Sequence, residues 1–219
     1  MSLLSLGLAI LCAKLGFWQL ARAHEKKSLL AQYAQQHDTT PSQWTMAKPL
    51  PKPFQRILCS GHYIAPTLLL DNQYYQHQFG VDVISLFQID ASHVVLVDRG
   101  FIPVSDRRHF PVVTEPNSSP NITGYAYYPK PNPFASGPAI AQNSLLIEHL
   151  DPAALRNILH KSLLPFIIRL DPNAPDGYIR NWPIATFPPE RHQAYALQWF
   201  LLAIVSFGGG FIFIRKSVA

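Results

Sequence analysis

The sequence predicts a mixed α+β protein in which two transmembrane helices flank one extracytoplasmic domain. That domain is predicted to be built on an antiparallel sheet, either open or curled into a barrel. Both ends of the 219-residue chain are apolar, whereas all 20 prolines lie between Pro41 and Pro189. Charged residues make up 14% of the chain, against roughly 25% in soluble domains. The predicted divisions are residues 1–22, 23–190 and 191–216, the last including a basic end.

The first apolar segment runs from Ser2 to Ala21 and is interrupted by serines, Lys14 and Gln19. The Lys14 amine can extend toward the lipid headgroups along its own stem. A cleaved signal peptide is the alternative, because Ala21 and Ala23 form a small-x-small site, but no basic residue precedes Lys14. We therefore predict an uncleaved helix that continues past the membrane through the helix-forming stretch EKKSLLAQYAQQ.

The second apolar segment, Ala194 to Ile214, has 21 residues without a formal charge. As a helix it rises about 31 Å, which matches a hydrocarbon core of about 30 Å. A buried helix of a soluble core would need a polar face, and Gln198 is the one strongly polar side chain in this segment. Two spans place both termini on one side of the membrane, and the distribution of basic residues leaves open which side.

The central region alternates turn residues with short β-favouring runs. Strands are predicted at GVDVISLFQI (80–89), HVVLVDRGFIP (93–103), NITGYAYYP (121–129) and PFIIRL (165–170). A helix is predicted in DPAALRNILHKS, with Asp151 as the N-cap and Pro152 at the first helical position. In the tripeptide Asp98-Arg99-Gly100, we expect a structural role in which Gly100 ends the strand with a positive φ; a partner contact is the alternative.

The sequence contains no recognised catalytic motif of the GxSxG, HExxH, P-loop or GxGxxG type. Its nine histidines are scattered, and Cys12 and Cys59 are too far apart to form a CxxC metal motif. Basic residues are dispersed, which argues against nucleic-acid binding. These observations favour a function other than catalysis.

The membrane end of the second span carries a possible cofactor site. His192, Tyr195 and Trp199 fall within about 60° of one another on a helix. On the first span, Trp18 and Arg22 lie four residues apart. A histidine, aromatic rings and an arginine suit a haem, because imidazole ligates iron and arginine pairs with propionates. An ordinary interfacial belt of aromatic residues is the alternative.

Four stretches carry a resemblance to a known family. They are LGFWQLARAHEK (15–26), VLVDRGFIP (95–103), NWP (181–183) and HQAYALQWFLLA (192–203). In this order they resemble the Surfeit locus protein 1 family of cytochrome c oxidase assembly factors. The segment NSLLIEHLD (143–151) departs from the family pattern, with leucine in place of a tryptophan and His149 in place of an aspartate. Contacts made by that segment are therefore not carried over.

The resemblance implies a non-enzymatic assembly factor in the bacterial cytoplasmic (inner) membrane, with its domain in the periplasm and both termini in the cytoplasm. It implies binding of haem a and help with its insertion into oxidase subunit I, alongside other oxidase assembly or haem a synthesis proteins. The family's histidine falls on His192, the expected iron ligand. Tyr195, Trp199 and Trp18 would line the porphyrin, and Arg22 would pair with a propionate. The alternatives are a cofactor-free membrane scaffold and a membrane-anchored periplasmic enzyme.

Overall fold

The structure, a computed structural model, describes residues 3–37, 39–114, 116, 120–130, 139–141, 144–182 and 187–218. It divides into a helical unit, Met1–Tyr33 with Pro183–Ala219, and a sheet unit, Ala34–Trp182. In chain order the elements are α1 (Leu3–His37), β1 (Ser42–Gln43), β2 (Arg56–Ser60), β3 (His62–Tyr75), β4 (Gln78–Gln88), β5 (Val94–Pro103), β6 (Asn121–Tyr127), β7 (Ala139–Ala141), β8 (Ser144–Ile147), α2 (Pro152–Leu159), β9 (Leu163–Leu170) and α3 (Pro189–Val218).

The helical unit contains two long apolar helices. Helix α1 has 35 residues and rises about 52 Å, so it extends beyond a hydrocarbon core of about 30 Å, as predicted. Helix α3 has 30 residues. Large apolar side chains remain uncovered along both helices, with Phe17 66% and Ile204 67% exposed. A helix in a soluble core would bury such side chains. The two flanking apolar helices are confirmed, and they fit a membrane protein.

The sheet unit is a single open sheet of nine strands in the order β1-β2-β6-β9-β5-β4-β3-β8-β7. Five of its eight strand pairs are antiparallel. Within the described residues, the edge strands β1 and β7 do not pair with each other. The α+β prediction is confirmed, whereas the barrel alternative is wrong because the sheet keeps two free edges.

The central strands are buried on both faces. Along β5, Val95 and Val97 belong to one apolar cluster, while Val94 and Leu96 belong to another. Leu155 of α2 packs into the second cluster. A strand that is covered on both faces has a continuous apolar sequence, whereas a strand covered on one face alternates apolar and polar residues. This explains the uninterrupted apolar stretch in the sequence of β5.

The tripeptide 98–100 has a structural role. Asp98 and Arg99 are 1% and 2% exposed, so neither side chain is available to a partner. Gly100 has φ = +112°, and a Cβ there would lie 2.6 Å from the carbonyl oxygen of Ile179. The expected positive φ is therefore present. The strand does not end at Gly100, however, because β5 continues to Pro103.

A buried carboxyl group, Asp98, and a half-buried one, Asp82, lie near one shared cation, Arg169, inside the sheet unit. The Arg169 Nε atom lies 3.9 Å from Asp98 Oδ2, and the Arg169 guanidinium lies 3.7 Å from the ring centroid of Tyr127. Burial raises the pKa of Asp82 to about 6. Burial together with the neighbouring Asp82 raises the pKa of Asp98 well above its ordinary value. One arginine is too little positive charge to keep both acids ionised.

The predicted start of α2 is confirmed. Asp151 Oδ1 accepts a hydrogen bond from the Ala153 amide at 2.9 Å, and Pro152 occupies the first helical position. Replacing Asp151 with alanine should lower the free energy of unfolding by about 1 kcal/mol, because the capping acceptor is lost. Urea unfolding of the detergent-solubilised chain measures this change. Asp151→Asn keeps an acceptor and should retain most of the stability; equal losses in both variants would show that the loss does not come from the missing acceptor.

Candidate functional site

Helices α1 and α3 are in contact where the ring of Phe200 packs against Gly16. A Cβ added at Gly16 would lie 2.6 Å from Cε1 of Phe200. The rings of Phe17 and Phe200 also meet edge to face, with centroids 5.2 Å apart. Glycine is therefore the residue that leaves room for the Phe200 ring at this point of the helix pair.

A polar pair joins the same helices three residues further along α1. His192 Nδ1 and Gln19 Oε1 lie 2.8 Å apart. Position 16 pairs with position 200 and position 19 with position 192, so the helices run antiparallel here. The second ring nitrogen, Nε2 of His192, is buried and has no hydrogen-bond partner within the described part of the chain. One ring nitrogen of His192 therefore contacts Gln19, and the other is buried without a hydrogen-bond partner among the described residues.

The other predicted site residues occupy more open positions. Tyr195 is 48% exposed and Trp18 is 51% exposed, while Trp199 is partly buried. The Arg22 guanidinium lies 5.7 Å from the Trp18 ring centroid and binds Glu25 at 2.7 Å. The structure therefore brings Trp18 together with Arg22 and His192 together with Gln19.

No sequence motif assigns a role to Gln19, although it contacts His192. The buried residues of α1 recur at spacings of three, four and seven, and Gln19 continues this series at a partly buried position; they are Ala9, Cys12, Gly16 and Ala23. A polar side chain on the inner face of an apolar helix is a functional candidate by default. That helical spacing was the signal that could have identified it.

The histidine suits an iron that already has other ligands. No group of three or more His, Cys, Asp or Glu side chains is placed to hold a metal ion in the ranges the structure describes. A bare metal ion takes three or four protein ligands, whereas a porphyrin iron needs only axial ones. His192, with partly exposed aromatic rings on both helices, is a candidate axial ligand whose Nε2 is covered by protein atoms in the structure.

The sheet unit contains a cavity of about 260 Å³. Its lining includes Tyr63, whose hydroxyl is buried without a hydrogen-bond partner among the described residues. Burial raises the pKa of Tyr63 to about 12, so the phenol stays protonated at neutral pH. The lining carboxylate of Asp171 accepts a hydrogen bond from Arg56 Nε at 2.8 Å. A second carboxylate, Asp176, also lines the cavity, but the protonated Tyr63 is not an activated nucleophile.

The comparisons with known proteins assign a family. Residues 6–204 match the model of the SURF1 family. No curated protein was found to match the chain. The matched range covers most of the chain and includes both Gln19 and His192.

Proposed function

The chain belongs to the SURF1 family, and we propose that it binds haem a through His192 and helps to insert this haem into subunit I of cytochrome c oxidase. The SURF1 family is associated with cytochrome oxidase assembly. The proposed setting is the bacterial cytoplasmic (inner) membrane, with the sheet domain in the periplasm and both termini in the cytoplasm. Other oxidase assembly or haem a synthesis proteins are the proposed further partners.

The free nitrogen of His192 carries the proposal. It is buried and unpartnered within the described residues, and an unpaired buried polar atom costs about 1–3 kcal/mol. Binding to iron would satisfy this atom, and the protein atoms that cover Nε2 would have to move to admit the iron. A histidine that belonged only to an interfacial aromatic belt would direct its second nitrogen to water or to a neighbouring acceptor.

The surroundings of His192 suit the rest of a haem a molecule. Tyr195 and Trp18 keep about half of their surface exposed, so their faces remain available to an apolar macrocycle. The Arg22–Glu25 pair is open to solvent on both sides, and exposed ion pairs contribute at most about 1 kcal/mol. Arg22 can therefore exchange Glu25 for a propionate at little cost. The hydrophobic tail of haem a would remain in the lipid.

The test is an absorption spectrum of the protein purified in mild detergent from cells that make haem a. The wild type should show a haem a band, and His192→Ala should lose at least about nine-tenths of it, because the axial ligand is gone. His24→Ala is the matched control, since it removes an exposed histidine from the neighbouring helix and should keep the band.

Co-purification of oxidase subunit I separates the haem proposal from the scaffold alternative. The haem proposal predicts that the His192→Ala protein still folds and binds subunit I but carries no haem. If wild type and variant both lack haem and both retain subunit I, the protein is a cofactor-free scaffold. If His24→Ala loses as much haem as His192→Ala, the ligand assignment is wrong.

A further inference from the structure

We propose that Gln19 is a positioning residue that holds His192 in the tautomer with hydrogen on Nδ1, and so keeps Nε2 ready to bind a metal. This inference rests on the proposed haem site but concerns the two side chains themselves. The interaction joins α1 to α3 through the 2.8 Å contact between Gln19 Oε1 and His192 Nδ1. It predicts the hydrogen position of one ring, which can be measured without any haem.

The direction of the hydrogen bond follows from which atoms face each other. Gln19 presents its carbonyl oxygen to His192 Nδ1, and an amide oxygen can only accept. Nδ1 must therefore carry the hydrogen, and in a neutral imidazole this leaves a lone pair on Nε2. A metal ion binds to this lone pair on Nε2.

The opposite arrangement is disfavoured by the surroundings of the ring. If the Gln19 amide were turned to donate to Nδ1, the hydrogen would move to Nε2 of His192. Nε2 is buried and has no acceptor within the described residues. That arrangement would bury an N–H without an acceptor, which costs about 1–3 kcal/mol, and would leave no lone pair on Nε2 for a metal. The amide orientation in the structure selects the other tautomer.

The position of Gln19 supports a dedicated role. Its neighbours on the inner face of α1, Gly16 and Ala23, are small and buried, whereas Gln19 places a long amide there inside an apolar helix. Polar side chains are costly within a span and are kept where they contact a partner. Hydrogen bonding of a histidine's distal N–H to an oxygen acceptor fixes ring orientation and raises ligand basicity, and its loss typically weakens metal binding about 10- to 100-fold.

The first experiment measures the tautomer by nitrogen NMR in haem-free full-length protein, labelled at histidine and held at about pH 8, above the ordinary histidine pKa of roughly 6.5. Comparison with His192→Ala identifies the signal of His192 among the nine histidines. The wild type and Gln19→Glu, which keeps an oxygen acceptor, should show hydrogen on Nδ1. Gln19→Leu leaves neither ring nitrogen with an acceptor among the described residues, so it should show a mixture of the two tautomers. Gln198→Leu removes an exposed glutamine from the other span and should match the wild type.

The second experiment titrates the same proteins with haem a in detergent micelles. Gln19→Leu should bind about 10- to 100-fold more weakly than wild type, while Gln19→Glu should restore binding to within a few-fold. Hydrogen on Nε2 in the wild type, or an unchanged tautomer in Gln19→Leu, overturns the inference. If the wild type binds no haem a, the haem proposal fails, and the NMR result alone decides the role of Gln19.

Discussion

Replacing Gly16 with leucine should push the two helices apart beside His192 and weaken the proposed binding of haem a. Three ring atoms of Phe200 lie within 2.6 to 2.8 Å of the place where a Cβ would stand, so a leucine side chain and the ring cannot share the space. Overpacking of this kind costs about 1–3 kcal/mol, which corresponds to a loss of about 5- to 150-fold in haem affinity if binding requires the paired state. Haem per protein, read from the absorption spectrum, measures the effect.

The chain offers a matched control and a rescue for this prediction. A Cβ at Gly7, on the same helix, meets nothing within 4 Å, so Gly7→Leu should keep its haem. Removing the obstructing ring in the double variant Gly16→Leu/Phe200→Ala should restore part of the binding, because the two positions are in contact and their effects are coupled. Equal haem loss at Gly7 and Gly16 would show that the Phe200 contact is not what matters.

Replacing Asp82 with asparagine should stabilise the protein at neutral pH but not in mild acid. Burial raises the pKa of Asp82 from 3.8 to about 6, so between these values the folded state holds more protons than the unfolded state. Through Asp82 the wild type therefore loses stability as pH rises through that window, and the contribution of Asp82 is constant above it. Asp82→Asn cannot lose stability in this way. The excess of its free energy of unfolding over that of the wild type should therefore increase between about pH 4 and about pH 6, and reach at most about 3 kcal/mol.

Urea unfolding of the full chain in detergent, followed at several pH values, measures the difference between Asp82→Asn and the wild type. Asp90→Asn is a control of opposite sign, because hydrogen bonds from the Ser92 amide and the His93 ring lower the pKa of Asp90. Ionisation of Asp90 stabilises the folded state as pH rises. Asp90→Asn should therefore become less stable relative to the wild type as pH rises. A difference for Asp82→Asn that does not change with pH would show that the buried acid is not penalised.

Elements with strong local signals could be predicted from the sequence, and those shaped by distant contacts could not. Helices α1 and α3 follow from uninterrupted apolar length, and α2 follows from its cap. Strand β3 was not predicted, because it contains Pro66 and its pairing with β4 shifts register between Ile64 and Thr67 and again between Leu70 and Gln73. Such irregularities break the two-residue period on which strand prediction depends.

The order of the strands in the sheet could not be predicted from the sequence either. Strand β9 lies between β5 and β6, although it follows them both in the chain, and no local pattern encodes that insertion. In the site, the spacing of His192 and Tyr195 placed them near one side of a helix. The spacing could not predict which residue of α1 contacts the histidine, because that depends on the rotation of α1 relative to α3. In the structure the contact is made by Gln19, and not by Trp18 or Arg22.

The pairing of Gln19 with His192 has a consequence for biosynthesis. The two residues are separated by 173 positions, one in the first helix of the chain and one in the last. The ribosome therefore completes the acceptor early and the imidazole late, after the entire sheet domain has been synthesised. A nascent chain cannot form the oriented ligand until α3 has been synthesised, so the proposed haem loading would follow the synthesis of the whole sheet domain.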